Sequence, residues 1–444
     1  MKQNKASRIF SIIFIIIIFA FFVSIMTTFF LRHNETYLSK HSEEILTAAE
    51  TEDSAQPSGI WEQVYPFSPE YVFEIPDSGE AETTTDKNFD GRYLTAVNTV
   101  KNKIEYYATD LLPGRIKFVE ANALINKAIG MKLITGTDAV AVMDNGYLTY
   151  ESYGMNMSNT AESLSWFNSQ LNKKGIDFLY VQCPSKENKF DCRLPDGMTD
   201  YNNINADSLI NILNNKGVPN LDLRPLLDSE ADDYYSCFFK TDHHWKPETG
   251  VWAAGKIAEK LNSDFGCSID TSIGNIDNYN IKVYEDYCFG SQGKKVSLTF
   301  ADPEDISLVT PKAKTDFTVS YCGTNKLSGT FADTMINSSV FDKIDYYNTS
   351  TYSAYSYGMQ AVKSSHNNNV SDGERVLLIG DSFSYVVFPY LAMGVEYLDA
   401  LDLRCFDGSV MAYIDEFKPD KVIVCYNPSM FSENVSLSSV YNFQ

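Results

Sequence analysis

The sequence predicts an α/β protein with three layers, in which helices cover both faces of a mainly parallel sheet. Near-continuous apolar runs such as IDFLYVQC, ERVLLIG and DKVIVCYN alternate along the chain with amphipathic segments. Continuous apolarity is typical of parallel strands that are buried on both faces. Because this helix–strand alternation recurs in the first and last parts of the folded region, we expect both parts to contribute to one sheet.

The first predicted element is a membrane anchor over residues 9–31. This segment, IFSIIFIIIIFAFFVSIMTTFFL, contains no charged residue. At about 1.5 Å per residue it is long enough to cross a hydrocarbon core of roughly 30 Å. Basic residues in the tail 1–8 place that tail in the cytoplasm by the positive-inside rule. A cleaved signal peptide is the alternative, but TTFFLRHN lacks a small-x-small cleavage site. We therefore predict a single-pass protein of the cell membrane with an extracytoplasmic main domain.

Residues 32–90 are acidic and contain several prolines, which predicts a solvated stalk before a folded domain over residues 91–444. The whole chain has a formal net charge of −22, which argues against nucleic acid as a partner, because phosphate binding requires a basic surface. Eight cysteines follow the anchor without a CxxC spacing. They permit disulfides in an exported domain and disfavour a structural zinc site, but their pairing cannot be deduced from sequence.

Within the folded domain, each element has its own pattern. IKFVEANALINKAIG, ESLSWFNSQLNKKG and KPETGVWAAGKIAEKLN are predicted helices, and AVAVMDNGYLTYES is a predicted β-hairpin that turns at Asp-Asn-Gly. Residues 267–372 are rich in polar residues and tyrosine, with short alternating runs such as NIKVYE, VSLTF and DFTVSY, which predicts a β-rich insertion. Its stretch YYNTSTYSAYSYG is either a substrate-binding surface or a polar surface loop. Strands ERVLLIG, EYLDALDLR and DKVIVCYN then alternate with helices SFSYVVFPYLAMG and SVMAYIDEF.

Ser382 is the candidate nucleophile. In RVLLIGDSFSYVVF a strand ends at Gly380, and Asp381 and Ser382 open a helix at the carboxyl edge of the sheet, where α/β proteins place their sites. The first N–H groups of a helix have no intrahelical partner, so the backbone N–H of Ser382 is a candidate oxyanion donor. Alone, the motif GDS is a weak signal, since a serine N-cap has the same pattern, and a serine nucleophile needs a base.

The candidate base lies in TDHHW. Only three of the five histidines fall in the folded domain, and His366 is in KSSHNNN, a predicted exposed loop. Adjacent residues of an extended segment point to opposite sides, so we expect His243 and His244 not to bind one metal ion, and we predict no metal. Asp242 and His244 are then on the same side, where the carboxylate can orient the imidazole as a base for serine. His243 is expected to be structural or to contact the substrate. Two packed histidines without a catalytic role are the alternative.

The combination of TDHHW with a later IGDSFS resembles the family named for its Asp-His-His-Trp motif, within the SGNH hydrolase-like superfamily. Typical members have the serine block first and an Asp-x-x-His last. Here Asp-x-His precedes Gly-Asp-Ser, an order similar to the alginate O-acetyltransferase branch. The matches at FGSQGKK, YSAYSYG and LDLRCF are looser. The resemblance implies an SGNH-like fold from about residue 118 to residue 444, without a cofactor.

By this resemblance Ser382 is the nucleophile, His244 the base and Asp242 the residue that orients it. The further candidates for oxyanion or substrate contacts are Asp381, Arg404, Asn427 and His243. The implied activity is O-acetylation of a cell-surface or exported polysaccharide through an acyl-serine, with a multi-pass membrane acyltransferase as the acetyl donor. An esterase with the same triad and a non-catalytic protein that binds or assembles glycans are the alternatives.

Overall fold

The computed structural model describes residues 115–134, 139–323, 325–432 and 440–444. The predicted cytoplasmic tail, transmembrane segment and stalk lie outside these residues. None of the helices in the described part of the chain has the length and apolarity that a membrane crossing requires.

Helices and strands alternate through most of the described chain. The helices are α1 (Arg115–Ala128), α2 (Ser158–Lys173), α3 (Tyr201–Asn215), α4 (Leu223–Glu230), α5 (Pro247–Phe265), α6 (Ser291–Val296), α7 (Phe331–Met335), α8 (Phe388–Leu391) and α9 (Val410–Phe417). The strands are β1 (Leu133–Ile134), β2 (Val140–Val142), β3 (Leu148–Tyr150), β4 (Asp177–Gln182), β5 (Asn220–Asp222), β6 (Tyr279–Cys288), β7 (Glu304–Pro311), β8 (Phe317–Tyr321), β9 (Asn325–Gly329), β10 (Val362–Asn367), β11 (Arg375–Gly380), β12 (Tyr397–Leu401) and β13 (Lys421–Tyr426).

The main sheet has eight strands in the order β5-β4-β13-β11-β12-β10-β8-β9. Its first five strands run parallel, and β11 lies between β13 and β12. The central strands are the apolar runs that the sequence predicted. Both faces of these strands are covered, which explains why their apolarity is continuous.

The sheet is mixed, which corrects the prediction of a mainly parallel one. The pairs β12–β10, β10–β8 and β8–β9 are antiparallel. These three added strands come from the polar region 267–372, so part of the predicted insertion extends the main sheet. The same region also contains the separate two-stranded sheet β6–β7.

Two hydrophobic cores lie on opposite faces of the main sheet. On β11, Val376 and Leu378 enter the core that contains α5, whereas Leu377 and Ile379 enter the core that contains α2, α3 and α9. Neighbouring residues of a strand point to opposite faces, so this division confirms three layers. The α/β architecture is thus helix, mixed sheet and helix.

Several local predictions can be compared directly with the structure. The hairpin β2–β3 and the helices α2 and α5 form where predicted. VSLTF is not a strand, because α6 ends at Val296 and a turn follows. SFSYVVFPYLAMG splits into a 3₁₀ turn at Ser382–Tyr385 and α8, whose early proline suits a helix start. His366 lies on β10 and not in a loop.

Candidate active site

The turn after β11 presents Ser382. Asp381 caps this turn, because its Oδ1 accepts the backbone N–H of Phe383 at 2.9 Å. A Cβ on Gly380 would lie 2.6 Å from the Cβ of Ser384, so glycine is needed for the chain to fold back this tightly. The turn therefore places Ser382 at the carboxyl end of a central parallel strand, as expected.

Hydrogen bonds link Ser382 to the DHHW segment. His244 Nε2 lies 2.6 Å from Ser382 Oγ, and His244 Nδ1 lies 2.5 Å from Asp242 Oδ1. The serine and the histidine are 138 positions apart in the chain. All three residues are buried, and Ser382 is 8% exposed. The structure thus brings the three predicted residues together in the order hydroxyl, imidazole, carboxylate.

Asp242 is held by several donors. Its Oδ1 accepts the backbone N–H of His244 at 3.1 Å, and its Oδ2 accepts that of Ser291 at 2.7 Å. Burial alone would raise the pKa of Asp242, but the two neighbouring histidines and these hydrogen bonds hold that pKa well below its ordinary value. The group is therefore a carboxylate at neutral pH, ready to stabilise an imidazolium.

Gly290 explains the motif FGSQGKK. A Cβ at this position would lie 2.2 Å from the Cβ of Asp242, closer than any side chain permits. Glycine lets the start of α6 approach the DHHW segment, so that the N–H of Ser291 reaches the carboxylate of Asp242. The motif was noted in the sequence, but its link to Asp242 could not be seen there, since Gly290 and Asp242 are 48 positions apart.

His243 does not face the opposite side from His244, which corrects the prediction from an extended segment. Residues 240–244 form bends, and the two imidazole rings pack with centroids 3.8 Å apart. His243 Nδ1 lies 3.1 Å from Ser291 Oγ and 3.3 Å from Asp242 Oδ1. Burial and the adjacent His244 lower the pKa of His243 to about 3, so its ring is neutral at physiological pH.

The corrected orientation brings three potential metal ligands together. Ligand atoms of Asp242, His243 and His244 lie within 4.8 Å of one another. However, both ring nitrogens of His244 are already engaged, one with Ser382 Oγ and one with Asp242 Oδ1. A metal ion on His244 would have to break one of these hydrogen bonds, so the donor set fits a proton relay better than a metal centre.

Two aromatic residues that sequence reasoning did not assign also build the site. Trp245 is fully buried, and its Nε1–H donates to the carbonyl oxygen of Phe383 at 3.1 Å. This bond ties the DHHW segment to the turn Ser382–Tyr385, which we call the nucleophile turn after its candidate nucleophile. Tyr352 stacks on His244 with ring centroids 4.1 Å apart and an interplanar angle of 17°. Tyr352 belongs to the tyrosine-rich stretch YYNTSTYSAYSYG and is buried. At this residue the stretch is therefore neither a polar surface loop nor an exposed binding surface.

The other predicted contact residues have different partners. Asp381 Oδ2 accepts both the backbone N–H and the side-chain amide of Asn427, which ties the end of β13 to the nucleophile turn. Both carboxyl oxygens of Asp381 are thus occupied within the protein, so this residue supports the turn that carries Ser382. Arg404 pairs with Asp402 and donates to Tyr385 Oη at 3.2 Å. Burial and this ion pair therefore commit Arg404 largely to the protein.

A cleft of about 730 Å³ lies beside these residues. We call it the triad cleft. Its wall includes three residues that touch or adjoin the predicted triad or its Asp381 support, namely His243, Phe383 and Asn427. Its volume lies within the range of about 300–1,000 Å³ that is typical of ligand sites.

Comparisons with known proteins agree with this architecture. Residues 143–271 match the family model described as an SGNH hydrolase-like domain, acetyltransferase AlgX. The matched segment includes Asp242 and His244, whereas Ser382 lies beyond it. This match confirms the predicted resemblance and supports the predicted class of O-acyltransferase.

Solved structures with the same fold were also found. Bacillus cereus PatB1 with a sulfonyl adduct is 18% identical, covers 70% of this chain and 100% of its own, and has a TM-score of 0.57. A DHHW family protein from Eubacterium siraeum is also 18% identical, covers 70% of this chain and 97% of its own, and has a TM-score of 0.53. At this identity the likenesses establish the fold. No curated protein matches the chain by sequence.

Proposed function

We propose that this SGNH hydrolase-like domain is an O-acetyltransferase that modifies an extracytoplasmic polysaccharide through an acyl-serine. The observation that carries the proposal is the continuous hydrogen-bonded path from Ser382 Oγ through His244 to Asp242. A buried serine with a ring nitrogen at 2.6 Å and a carboxylate behind that ring has the arrangement required of an activated nucleophile.

In the first step, Ser382 Oγ attacks the carbonyl carbon of an acetyl donor while His244 Nε2 accepts the serine proton. The tetrahedral intermediate then collapses, and the bond to the donor's leaving group breaks. His244 returns the proton to that leaving group, which leaves acetyl-Ser382. General base catalysis of this kind contributes about 10²–10⁴ in rate.

In the second step, a sugar hydroxyl replaces the donor. His244 accepts the proton of that hydroxyl, whose oxygen attacks the acetyl carbon and displaces Ser382 Oγ. The serine regains its proton from His244, and the sugar leaves as an acetate ester. Asp242 accepts the Nδ1–H of His244 in both steps and stabilises the positive charge that forms on the ring.

The intermediate also needs hydrogen-bond donors for its oxyanion. The backbone N–H of Ser382 is our candidate, because it lies at the first position of the 3₁₀ turn, where a helix N–H has no partner within the helix. Removal of one such donor costs about 2.7–4 kcal/mol of transition-state stabilisation in other enzymes.

The membrane arrangement is part of the same proposal. The apolar segment 9–31 would anchor the domain at the outer face of the cell membrane, where a multi-pass acyltransferase would deliver acetyl groups from the cytoplasm. The support for this arrangement is the sequence pattern of the N-terminus and the family resemblance.

The proposal is tested with the full chain in detergent, p-nitrophenyl acetate as donor and an oligosaccharide mixture as acceptor. We expect p-nitrophenol release, and acetylated oligosaccharides by mass spectrometry, both lost in Ser382→Ala. Release without any acetylated sugar would favour the esterase alternative. Equal release by the wild type and Ser382→Ala would refute a serine mechanism.

A further inference from the structure

The triad cleft contains charged groups, but two of them are already engaged in hydrogen bonds within the protein. Lys186 is buried, and its Nζ donates to the carbonyl oxygens of Leu148 and Lys240 and to Gln292 Oε1 at 2.5, 3.2 and 2.9 Å. An ammonium group has three N–H donors, so all of its donors are used. Burial also lowers the pKa of Lys186 to about 8. This lysine is therefore not available to pair with an anionic ligand.

The buried carboxylate beside Lys186 is likewise engaged. Glu187 Oε1 accepts the hydroxyl of Thr149, and its Oε2 accepts the side-chain amide of Asn202 at 3.1 Å. The remaining charged residues of the wall are Glu151 and Lys295, one of each sign. Lys295 Nζ lies 4.6 Å from the ring centroid of Tyr150.

The cleft thus carries two lysines and two glutamates, and none of its described lining residues is an arginine. Arginine is the residue best suited to bind carboxylate or phosphate groups in a bidentate manner. The chain as a whole has a net charge of −22, so a polyanion would also meet long-range repulsion. Both facts favour an uncharged ligand.

The outer part of the cleft offers an exposed aromatic ring. Tyr153 is 62% exposed, and its hydroxyl donates to Glu151 Oε2 at 2.9 Å. The ring is therefore oriented by a hydrogen bond while much of its surface contacts solvent. Exposed aromatic rings that line a cleft provide apolar area with little loss of conformational entropy on binding.

The inner part offers a neutral polar ring next to the catalytic base. His243 is 30% exposed at its side chain, and its Nδ1 is turned toward Ser291 and Asp242. Nε2 lies on the other edge of the ring, so we infer that this is the nitrogen that a ligand in the cleft would meet. A neutral imidazole can exchange a hydrogen bond with a hydroxyl group but provides no charge for an anion.

We propose that the triad cleft binds the acceptor as an uncharged sugar chain, with one sugar ring on Tyr153 and a hydroxyl near the catalytic base on His243. This inference rests on the proposed function and specifies its substrate class. The cleft lies between the exposed tyrosine and the triad, so a chain that spans it would present a hydroxyl to acetyl-Ser382. We expect the cleft to discriminate against uronic acid polymers, because none of its described lining residues is an arginine that could bind their carboxylates.

Binding is measured separately from catalysis, with the full-length Ser382→Ala variant in detergent and isothermal titration calorimetry. The probes are chitotriose, cellotriose, trigalacturonate and the methyl ester of trigalacturonate. The last two share one sugar backbone and differ by the methyl groups that remove its negative charges. We expect at least one neutral probe to bind. We also expect the affinity for the methyl ester to be at least about tenfold higher than the affinity for trigalacturonate, or the methyl ester alone of this pair to bind. Tighter binding of trigalacturonate, or binding of none of the neutral probes, would overturn the inference.

Position is tested with Tyr153→Ala in the Ser382→Ala background. Loss of the stacked ring should weaken binding of the neutral probe about tenfold. Trp166→Ala, which removes a 38% exposed aromatic residue outside the cleft, is the control and should leave the affinity unchanged. Equal effects of the two changes would refute the assignment of Tyr153.

The two hypotheses fail in different assays. Hydrolysis of p-nitrophenyl acetate by the wild type needs no sugar, so its absence would refute the proposed function, whatever the calorimetry shows. Hydrolysis together with binding of charged probes alone would leave the serine mechanism standing and refute the uncharged acceptor.

Discussion

At the scale of single residues, the site depends on how two adjacent histidines are distinguished. His244 has one ring nitrogen on Ser382 and the other on Asp242, whereas His243 contacts Asp242 and Ser291 but packs against the base only through its ring face. In the proposed mechanism, His244 is therefore the histidine of this pair that transfers a proton to and from the serine. His243, neutral because its pKa is lowered to about 3, does not add a second positive charge beside the imidazolium.

This difference gives the first prediction. His244→Ala should lower kcat for p-nitrophenyl acetate by about 10²–10⁴, since it removes the general base. His243→Ala should lower kcat for the same substrate less than tenfold, because the hydrogen bonds of His244 to Ser382 and Asp242 remain intact. Steady-state kinetics of both variants check this. Equal losses of kcat in the two variants would contradict the assignment of His244, and not His243, as the base.

The Ser382→Ala, His244→Ala double variant provides the control for this first prediction. Residues that act as one unit give strongly non-additive losses. The double variant should therefore be about as inactive as the worse of the two single variants. Losses that multiply would argue against a shared step.

At the scale of elements, the close approach of α6 to Asp242 requires glycine at position 290. Gly290→Ala should displace the start of α6, since the added methyl group would overlap Asp242. We expect kcat to fall at least tenfold, together with a lower midpoint of thermal unfolding. Ser291→Ala is the matched control. It keeps the backbone N–H that donates to Asp242 and should retain most of the activity. A Gly290→Ala enzyme with wild-type kcat would contradict this packing argument.

The connection between the DHHW segment and the nucleophile turn gives a further prediction. Trp245→Phe removes the Nε1–H that donates to the buried carbonyl of Phe383, which should lower the free energy of unfolding by about 1–3 kcal/mol. Trp252→Phe is the comparison, because its Nε1–H donates to Glu230 at the exposed surface. Urea denaturation of both variants should show the larger loss for Trp245. The opposite order would refute the structural role assigned to the tryptophan of DHHW.

At the scale of the whole molecule, one mixed sheet joins the parallel strands to the polar region 267–372. Its antiparallel strand β10 carries Lys363, which is buried and donates from Nζ to Ser356 Oγ at 2.8 Å, with Nζ 4.2 Å from the ring centroid of Tyr385. Burial lowers the pKa of Lys363 to about 7. A buried amine that titrates near neutral pH thus lies within the antiparallel part of the sheet, and the pH dependence of stability should reveal it.

The direction of this pH dependence follows from the number of protons that the folded and unfolded states bind. In the unfolded chain a lysine keeps its proton up to about pH 10.4, whereas Lys363 in the folded state loses it near pH 7. Between these values the unfolded state binds more protons, so this residue makes stability rise with pH by at most about 1.4 kcal/mol per pH unit. The free energy of unfolding of Lys363→Met should therefore fall relative to that of the wild type as the pH rises from 7 to about 10. Denaturant unfolding at several pH values checks this. The exposed Lys326→Met should give a curve parallel to the wild type, and a parallel curve for Lys363→Met would contradict the prediction.

Much of this architecture could be predicted from the sequence, and the reasons are physical. The strands β4, β11 and β13 were evident because burial on both faces demands continuous apolarity. The candidate triad could be chosen because few histidines were available and because a serine at the end of a strand has a distinctive local pattern. These signals are local, so a single sequence can carry them.

What could not be predicted depends on long-range packing. The bends at residues 240–244 turn both histidines to one side, and no local pattern indicated them. Three antiparallel strands from a polar region complete the main sheet, although their short alternating runs gave no indication of their partners. The stacking of Tyr352 on His244 likewise joins segments that are more than 100 residues apart. Such contacts are set by tertiary structure, which overrides local preference.

The most direct test of the account is to locate the acetyl group. The wild-type protein is mixed with p-nitrophenyl acetate, quenched in acid within the first turnover, digested and analysed by peptide mass spectrometry. We predict one acetyl group on Ser382 in the wild type and none on that residue in His244→Ala. Acetylation at a different residue, or undiminished labelling of Ser382 without His244, would contradict a serine nucleophile activated by that histidine.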